Sequence, residues 1–198
     1  MPAAAVPHEL RDAVTVPAPD RPDSVVVAAT WAGSVRDPSV AAHFRQVLGH
    51  FATGLTLLTS RGRDGAPIGM TIQALMSLSL DPPLIALGVG RHSRSWERVR
   101  RAGGRFRLNL LTTDQAELAW QFGRYADGEH RFTGSAWRIG PAGLPELVRA
   151  HAWIDAAVRD EHDGGDHVLV VASVGSLRVG AGEPLIFHRG RPGRLAGP

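Results

Sequence analysis

Hydrophobic residues first acquire a period at Val40, Phe44, Val47, Leu48 and Phe51, the spacing of one apolar helix face, with Asp37-Pro38 placed as N-cap and first helical residue. The pattern predicts an amphipathic helix that runs to Gly54. Beyond it the period becomes that of strands. LTLLTS (55–60) is apolar and β-branched, RGRDGAP is a turn, and GMTIQALMSLSLDPPLIALGV (69–89) reads as two strands on either side of Asp81-Pro82-Pro83. SWERVRRAG (95–103) predicts a short helix capped by Ser93 or Ser95, RFRLNLL (105–111) a strand, and TTDQAELAWQFG (112–123) a second short helix with Thr112 and Gln115 spaced as a capping box. Two long strand-like runs flank DGGD (163–166), a hairpin turn, and PLIFHRGR (184–191) predicts a last strand.

Hairpin-length connections interrupted by a few short helices make the chain mainly β, an antiparallel barrel or α+β domain rather than a parallel βαβ sheet. Residues 1–36 are rich in Pro, Ala and Val without a period and read as a mobile tail; residues 37–192 form the domain and 193–198 a C-terminal tail.

Within the long polar-apolar stretch, Thr71, Gln73, Ser77 and Ser79 share one face if the strand is regular, which sends Ile72, Leu78 and Leu80 into the core with Ala74 and Met76 beside them. Such a face is either an ordinary wet surface or a bed for a polar, hydroxylated ligand, and alternation alone leaves both open.

Composition removes more chemistry than it suggests. With no cysteine there is no disulfide, thiolate nucleophile, Cys-ligated zinc or iron–sulfur cluster. The chain also has no lysine, so P-loop and Schiff-base chemistry are absent, and an anion must be held by arginine, hydroxyl and backbone N–H groups. A net charge of +3 with 6% aromatics argues against nucleic acid, and no apolar run is long enough to span a membrane. A cytoplasmic protein is the simplest expectation.

GVGRHS (88–93) mimics a dinucleotide fingerprint, but the alternating strands and helices such a fold requires are missing. What survives is a Ser-Arg-Ser turn at a helix start, suited to phosphate. Arg98, Arg100 and Arg101 read as a solvated helix face. HDGGDH (162–167) could hold a metal, although turns collect Asp and Gly anyway and no third ligand clusters with it; His167 could equally be a polar contact in a cleft.

Taken in order, FRQVLGHFATGLTLLTS, GMTIQALMSLSLDPPLIALGV, RFRLNLL, GGDHVLVVASV and PLIFHRGR resemble the flavin reductase-like family with the FMN-binding split-barrel fold, antiparallel and of Greek-key type, over roughly residues 38–191. The resemblance implies that Thr71, Ile72, Gln73, Ala74 and Leu75, with Ser77 nearby, lie along the ribityl chain and ring of FMN or FAD. It implies that Arg91, Ser93, Arg94 and Ser95 receive the flavin phosphate, that Leu108 and Asn109 neighbour the ring, and that His167 faces the nicotinamide of NAD(P)H. Phe187, Arg189 and Gly190 then help to close the cleft. The implied reaction is hydride transfer from NAD(P)H to FMN, FAD or riboflavin in a homodimer that supplies reduced flavin to a monooxygenase component. Two alternatives stay open: a flavoprotein that keeps its flavin and reduces its own substrate, and a non-enzymatic flavin-binding module. The chain departs from the family pattern at Gln73, where Asn or Ser is common, at Ala74, often Ser, and at Pro192, where an aromatic residue is frequent.

Overall fold

A computed structural model describes residues 38–124 and 129–195. The tail assigned to residues 1–36 lies outside the described residues, as do 196–198 of the C-terminal tail assigned to 193–198, whose first residue, Gly193, instead ends a strand. The chain divides into two units between Phe44 and Arg45. Of the first, only the helical Pro38–Phe44 is described; every described strand belongs to the second.

Helix α1 (Pro38–Leu48) ends six residues before the predicted Gly54, because β1 (Thr53–Gly54) is already a strand there. The remaining elements are β2 (Thr56–Arg61), β3 (Pro67–Ile72), β4 (Leu75–Leu80), β5 (Pro83–Gly90), α2 (Arg94–Arg101), β6 (Arg105–Leu110) and α3 (Ala116–Arg124), followed by β7 (Trp137–Ile139), β8 (Pro145–Leu147), β9 (Ala152–Gly164), β10 (His167–Val179), β11 (Ile186–His188) and β12 (Arg191–Gly193). The predicted pair of strands over 69–89 is therefore three. A break at Gln73-Ala74 separates β3 from β4, so of the polar residues counted as one face Thr71 lies on β3, Ser77 and Ser79 on β4, and Gln73 in the break. The last predicted strand is likewise a tight hairpin, β11–β12.

Seven strands pair antiparallel in the order β3-β2-β6-β9-β10-β5-β4. The two ends of that order, β3 and β4, are joined by only two residues, which reach no more than about 10 Å. The sheet must therefore curl until its edges meet, which makes it a barrel split at the Gln73-Ala74 corner. β1, β11 and β12 form a separate small sheet, and β7 pairs with β8.

The runs of β2 and β6 lack clean alternation because both faces are covered. Leu58, Phe106 and Leu108 enter one apolar cluster with Ile68, Leu87 and Val170, and α2 adds Trp96 and Val99 to it. Leu57 points the other way, into a second cluster with Leu111, Phe122, Phe132 and Leu147, which seats α3 on the sheet. Gly69 permits that seat, since a Cβ there would come within 2.5 Å of the Phe122 ring.

The β4 residues placed in the core from sequence are not there. Met76, Leu78 and Leu80 are exposed, Leu80 at 91%. A bulge between Ser77 and Ser79 breaks the strict alternation on which that placement rested. Ile72 is buried as expected.

Candidate functional site

A cavity of about 920 Å³ opens beside the Gln73-Ala74 corner. Its floor is β5. Ile85, Leu87 and Val89 of that strand are buried in the first core cluster, so Ala86, Gly88 and Gly90 occupy the opposite face. A Cβ on Gly88 would approach Ala74 Cβ at 3.1 Å, while one on Gly90 would meet nothing within 4 Å and would project into open space. The floor is thus bare backbone at Gly90, while at Gly88 the methyl of Ala74 packs close against it.

One wall is the β3–β4 corner, Met70 to Met76, held to the floor by Gly88 N donating to Ala74 O at 3.0 Å. A second wall is the start of α2. Ser93 Oγ accepts from Trp96 N at 3.2 Å and caps the helix, and buried Ser95 donates through Oγ to Gly69 O at 3.3 Å. The positive end of the helix dipole therefore borders the cavity, with Arg94 beside it. Arg131 and His92 add further cationic or hydrogen-bonding groups, and among the described residues no carboxylate lines the cavity. The arrangement suits an anionic ligand with a flat apolar body.

His167 reaches the cavity from the tip of the β9–β10 hairpin, opposite Gly90 in the β5–β10 ladder. Its Nδ1 lies 2.6 Å from Asp166 Oδ1. That hydrogen bond is the largest influence holding the Asp166 carboxyl below its ordinary value. An ionised carboxylate only accepts, so Nδ1 carries the proton and Nε2 is left for a ligand.

Of the residues expected from sequence, Thr71, Ile72, Gln73, Ala74, Leu75, Ser93, Arg94, Ser95 and His167 converge on this cavity. The Thr71 hydroxyl donates to Ala119 O at 2.8 Å. The others stand elsewhere. Ser77 lies farther along β4, and Arg91 turns its guanidinium to the hairpin tip, where it meets Gly165 O at 2.8 Å and the Asp163 carboxylate. Leu108 is core. Asn109 is fully buried, with Nδ2 donating to Leu57 O (2.9 Å) and Thr59 Oγ1 (3.0 Å) and Oδ1 accepting from Leu147 N (2.8 Å). Its amide is consumed in joining strands. Phe187 meets Trp120 edge-on, and Arg189 and Gly190 form the β11–β12 turn at positive φ. Sequence reasoning missed Gly88 and Gly90 as the floor, although glycine at alternate positions of an otherwise apolar strand was the available signal.

Comparison with known proteins agrees with this geometry. Residues 48–196 match the flavin reductase like domain. The chain belongs to the flavin reductase-like family. It is 41% identical over 150 residues to the reductase subunit HsaB of a flavin-dependent monooxygenase of Mycobacterium tuberculosis, covering 74% of this chain and 78% of that one. A flavin reductase of Pseudomonas putida is 36% identical over 171 residues, covering 86% and 97% of the two chains. Among solved structures, the NADH:FAD oxidoreductase SgcE6 of Streptomyces globisporus, in complex with NAD and FAD fragments, superposes with a TM-score of 0.73 at 30% identity, covering 83% of this chain and 98% of that one. This family member is accordingly an oxidoreductase of the split-barrel type, with flavin and nicotinamide nucleotide as its reactants.

Proposed function

We propose that the cavity binds FMN or FAD with its phosphate at Ser93, Arg94 and Ser95 and its ring over Gly88 and Gly90, that NAD(P)H enters beside His167, and that reduced flavin then leaves for a monooxygenase component. The observation that carries this reading is one cavity whose floor strand has glycine at alternate positions, Gly88 and Gly90, with a helix N-terminus and an arginine at one end and no carboxylate among its described lining residues.

Flavin held here would supply the hydride acceptor and NAD(P)H the hydride, leaving as NAD(P)⁺. The protein has no bond to break. It supplies position, and holding two reactants in near-attack geometry is worth about 7–11 kcal/mol in well-oriented systems. The floor would cover one face of the ring and exclude water from it, with the β3–β4 corner beside it and the other face left to the nicotinamide. The helix dipole and Arg94 compensate the phosphate charge. His167, with Nδ1 fixed by Asp166, directs Nε2 toward the cosubstrate and orients it without acting as an obligatory base.

The residues that line the corner, Thr71 to Leu75, contribute backbone and short polar groups to the ribityl chain. Riboflavin, which lacks the phosphate, is a weaker ligand in this scheme. The working protein is a homodimer in the cytoplasm, where NAD(P)H is supplied. The dimer is supported by the exposed apolar residues Met76, Leu78 and Leu80 of β4, which is paired on one side only, with β5.

The deciding experiment follows NADH and NADPH oxidation at 340 nm with and without added FMN, FAD and riboflavin. Turnover that depends on added flavin supports a diffusible-flavin reductase. A protein that purifies yellow and turns over without added flavin overturns the release step, and binding without turnover overturns the enzymatic reading.

A further inference from the structure

His167 is placed at the end of its ladder. It pairs with Gly90, the last residue of β5, so beyond that point the hairpin tip Asp163–Asp166 has no neighbouring strand except its own partner. The tip is also exposed, and its Gly165 adopts a positive φ of 78°. A side chain that must hold a cosubstrate within a fraction of an ångström is thus carried on an overhang.

Arg91 grips that overhang. Its backbone N donates to Asp166 O at 3.0 Å, Nε donates to Gly165 O at 2.8 Å, and Nη2 meets the Asp163 carboxylate and lies 3.5 Å from His167 O. Asp163 in turn accepts from Gly165 N at 3.0 Å, so the guanidinium fork and the turn lock each other. The ion pair itself is exposed, with the Arg91 side chain at 40% and Asp163 at 80%, so it adds little stability. Its consequence is geometric. An arginine bonds a carbonyl through Nε and a carboxylate through Nη2 from one rigid plane, whereas a lysine ammonium, though it has three donors, fixes no such spacing.

We infer that Arg91 is a positioning residue for His167: it fixes the β9–β10 tip against the β5–α2 turn and so sets where the imidazole meets the nicotinamide. This rests on the proposed contact of His167 with the cosubstrate. It also assigns Arg91 to the nucleotide side of the reaction rather than to the flavin phosphate.

The test is a double-mutant cycle in the full-length protein, using Arg91→Met, Arg91→Lys and His167→Ala, with KM for NAD(P)H, kcat, flavin Kd and unfolding temperature measured for each. Arg91→Met keeps the backbone N–H bond to Asp166. The expected result is an unfolding temperature and flavin Kd close to the parent's, with KM for NAD(P)H raised roughly ten- to a hundredfold, the scale of a misplaced reacting group. Arg91→Lys should restore part of that loss. In the His167→Ala background, Arg91→Met should cost nothing further, which a merely structural role would not produce. An equal loss in both backgrounds, or a rise in flavin Kd, would overturn the assignment. If His167→Ala alone leaves KM unchanged, the reading of His167 fails, and the positioning role falls with it; if His167→Ala is damaging but Arg91→Met is silent, only the positioning role falls.

Discussion

Glu146 has no exposed surface, yet it is a carboxylate in contact with three guanidinium groups. Oε1 accepts from Arg138 Nε at 2.8 Å, and Oε2 accepts from Arg178 Nη2 at 2.8 Å and from Arg107 Nη1. Arg107, only 3% exposed, also grips Asp155 through Nε (2.6 Å) and Nη2 (2.8 Å). Removing one partner of such a set strands a buried charge, which costs about 3–5 kcal/mol. Glu146→Gln should therefore lower the unfolding temperature by roughly 6–20 °C, at about 2–4 °C per kcal/mol for a chain of this size, with flavin Kd unchanged because the cluster does not line the cavity; calorimetry and flavin titration check both halves. For Asp155, burial raises its carboxyl, but the bonds from Arg107 and Ser176 and the nearby arginine charges outweigh it and hold the group below the ordinary 3.8. A lowered carboxylate contributes stability that is fully present above the unfolded value and is lost as pH falls through the folded one. The stability gap between the parent and Asp155→Asn should consequently be constant from pH 7 down to about 4 and narrow below that, as denaturant melts at stepped pH would show. A gap that widens on acidification would contradict the assigned sign. None of this was legible in RFRLNLL, where Arg105, Arg107 and Asn109 alternate with apolar residues as a wet face would. The burial of Arg107 depends on Glu146, 39 positions away on a strand of three residues.

At the scale of elements, the strands and capped helices were readable because each carries a local signal. Ser93 caps α2 as expected, and Gln115 Oε1 accepts from Thr112 N at 3.1 Å as the capping box predicts. DGGD forms the β9–β10 turn. What local pattern could not convey was the break at Gln73-Ala74 and the bulge beside it, since both follow from closing a barrel whose edges stand at opposite ends of the pairing order. The same closure turns GVG from a supposed nucleotide fingerprint into the cavity floor. Gly90 lies outside the left-handed region, so a side chain there is free of backbone strain and costs space alone. Gly90→Val should leave the unfolding temperature near the parent's and weaken flavin by roughly tenfold or more, about 1.4 kcal/mol per tenfold; fluorescence titration reads it, and unchanged affinity would remove β5 from the site. At the neighbouring helix start, replacing Ser93 and Ser95 together by Ala should weaken FMN more than riboflavin, by roughly ten- to a hundredfold for each charge-assisted hydrogen bond of about 1.5–3 kcal/mol that is lost. Equal weakening of the two ligands would place the phosphate elsewhere.

At the scale of the whole molecule, β4 poses a problem that a single chain does not solve. It is bonded to β5 along one edge and presents Met76, Leu78 and Leu80 to solvent, an arrangement that invites pairing with another surface. Met76 is at once an exposed residue of this edge strand and part of the cavity lining. A second copy seated on β4 would therefore border the flavin, and oligomeric state and cofactor affinity become linked quantities. Leu80 separates the two effects, because it is exposed on the same edge strand but is not part of the cavity lining. A charge there must be desolvated in an interface and costs nothing on a free surface. Leu80→Glu should accordingly convert a dimer to a monomer by light scattering after gel filtration, leave the monomer folded by circular dichroism, and weaken flavin without touching it. The loss should be recovered in part at high protein concentration, where the residual dimer is repopulated. A parent protein that is already monomeric, or a Leu80→Glu monomer that binds flavin as tightly as the parent, would show that the cavity is complete within one chain and that the exposed apolar residues of β4 serve some other partner.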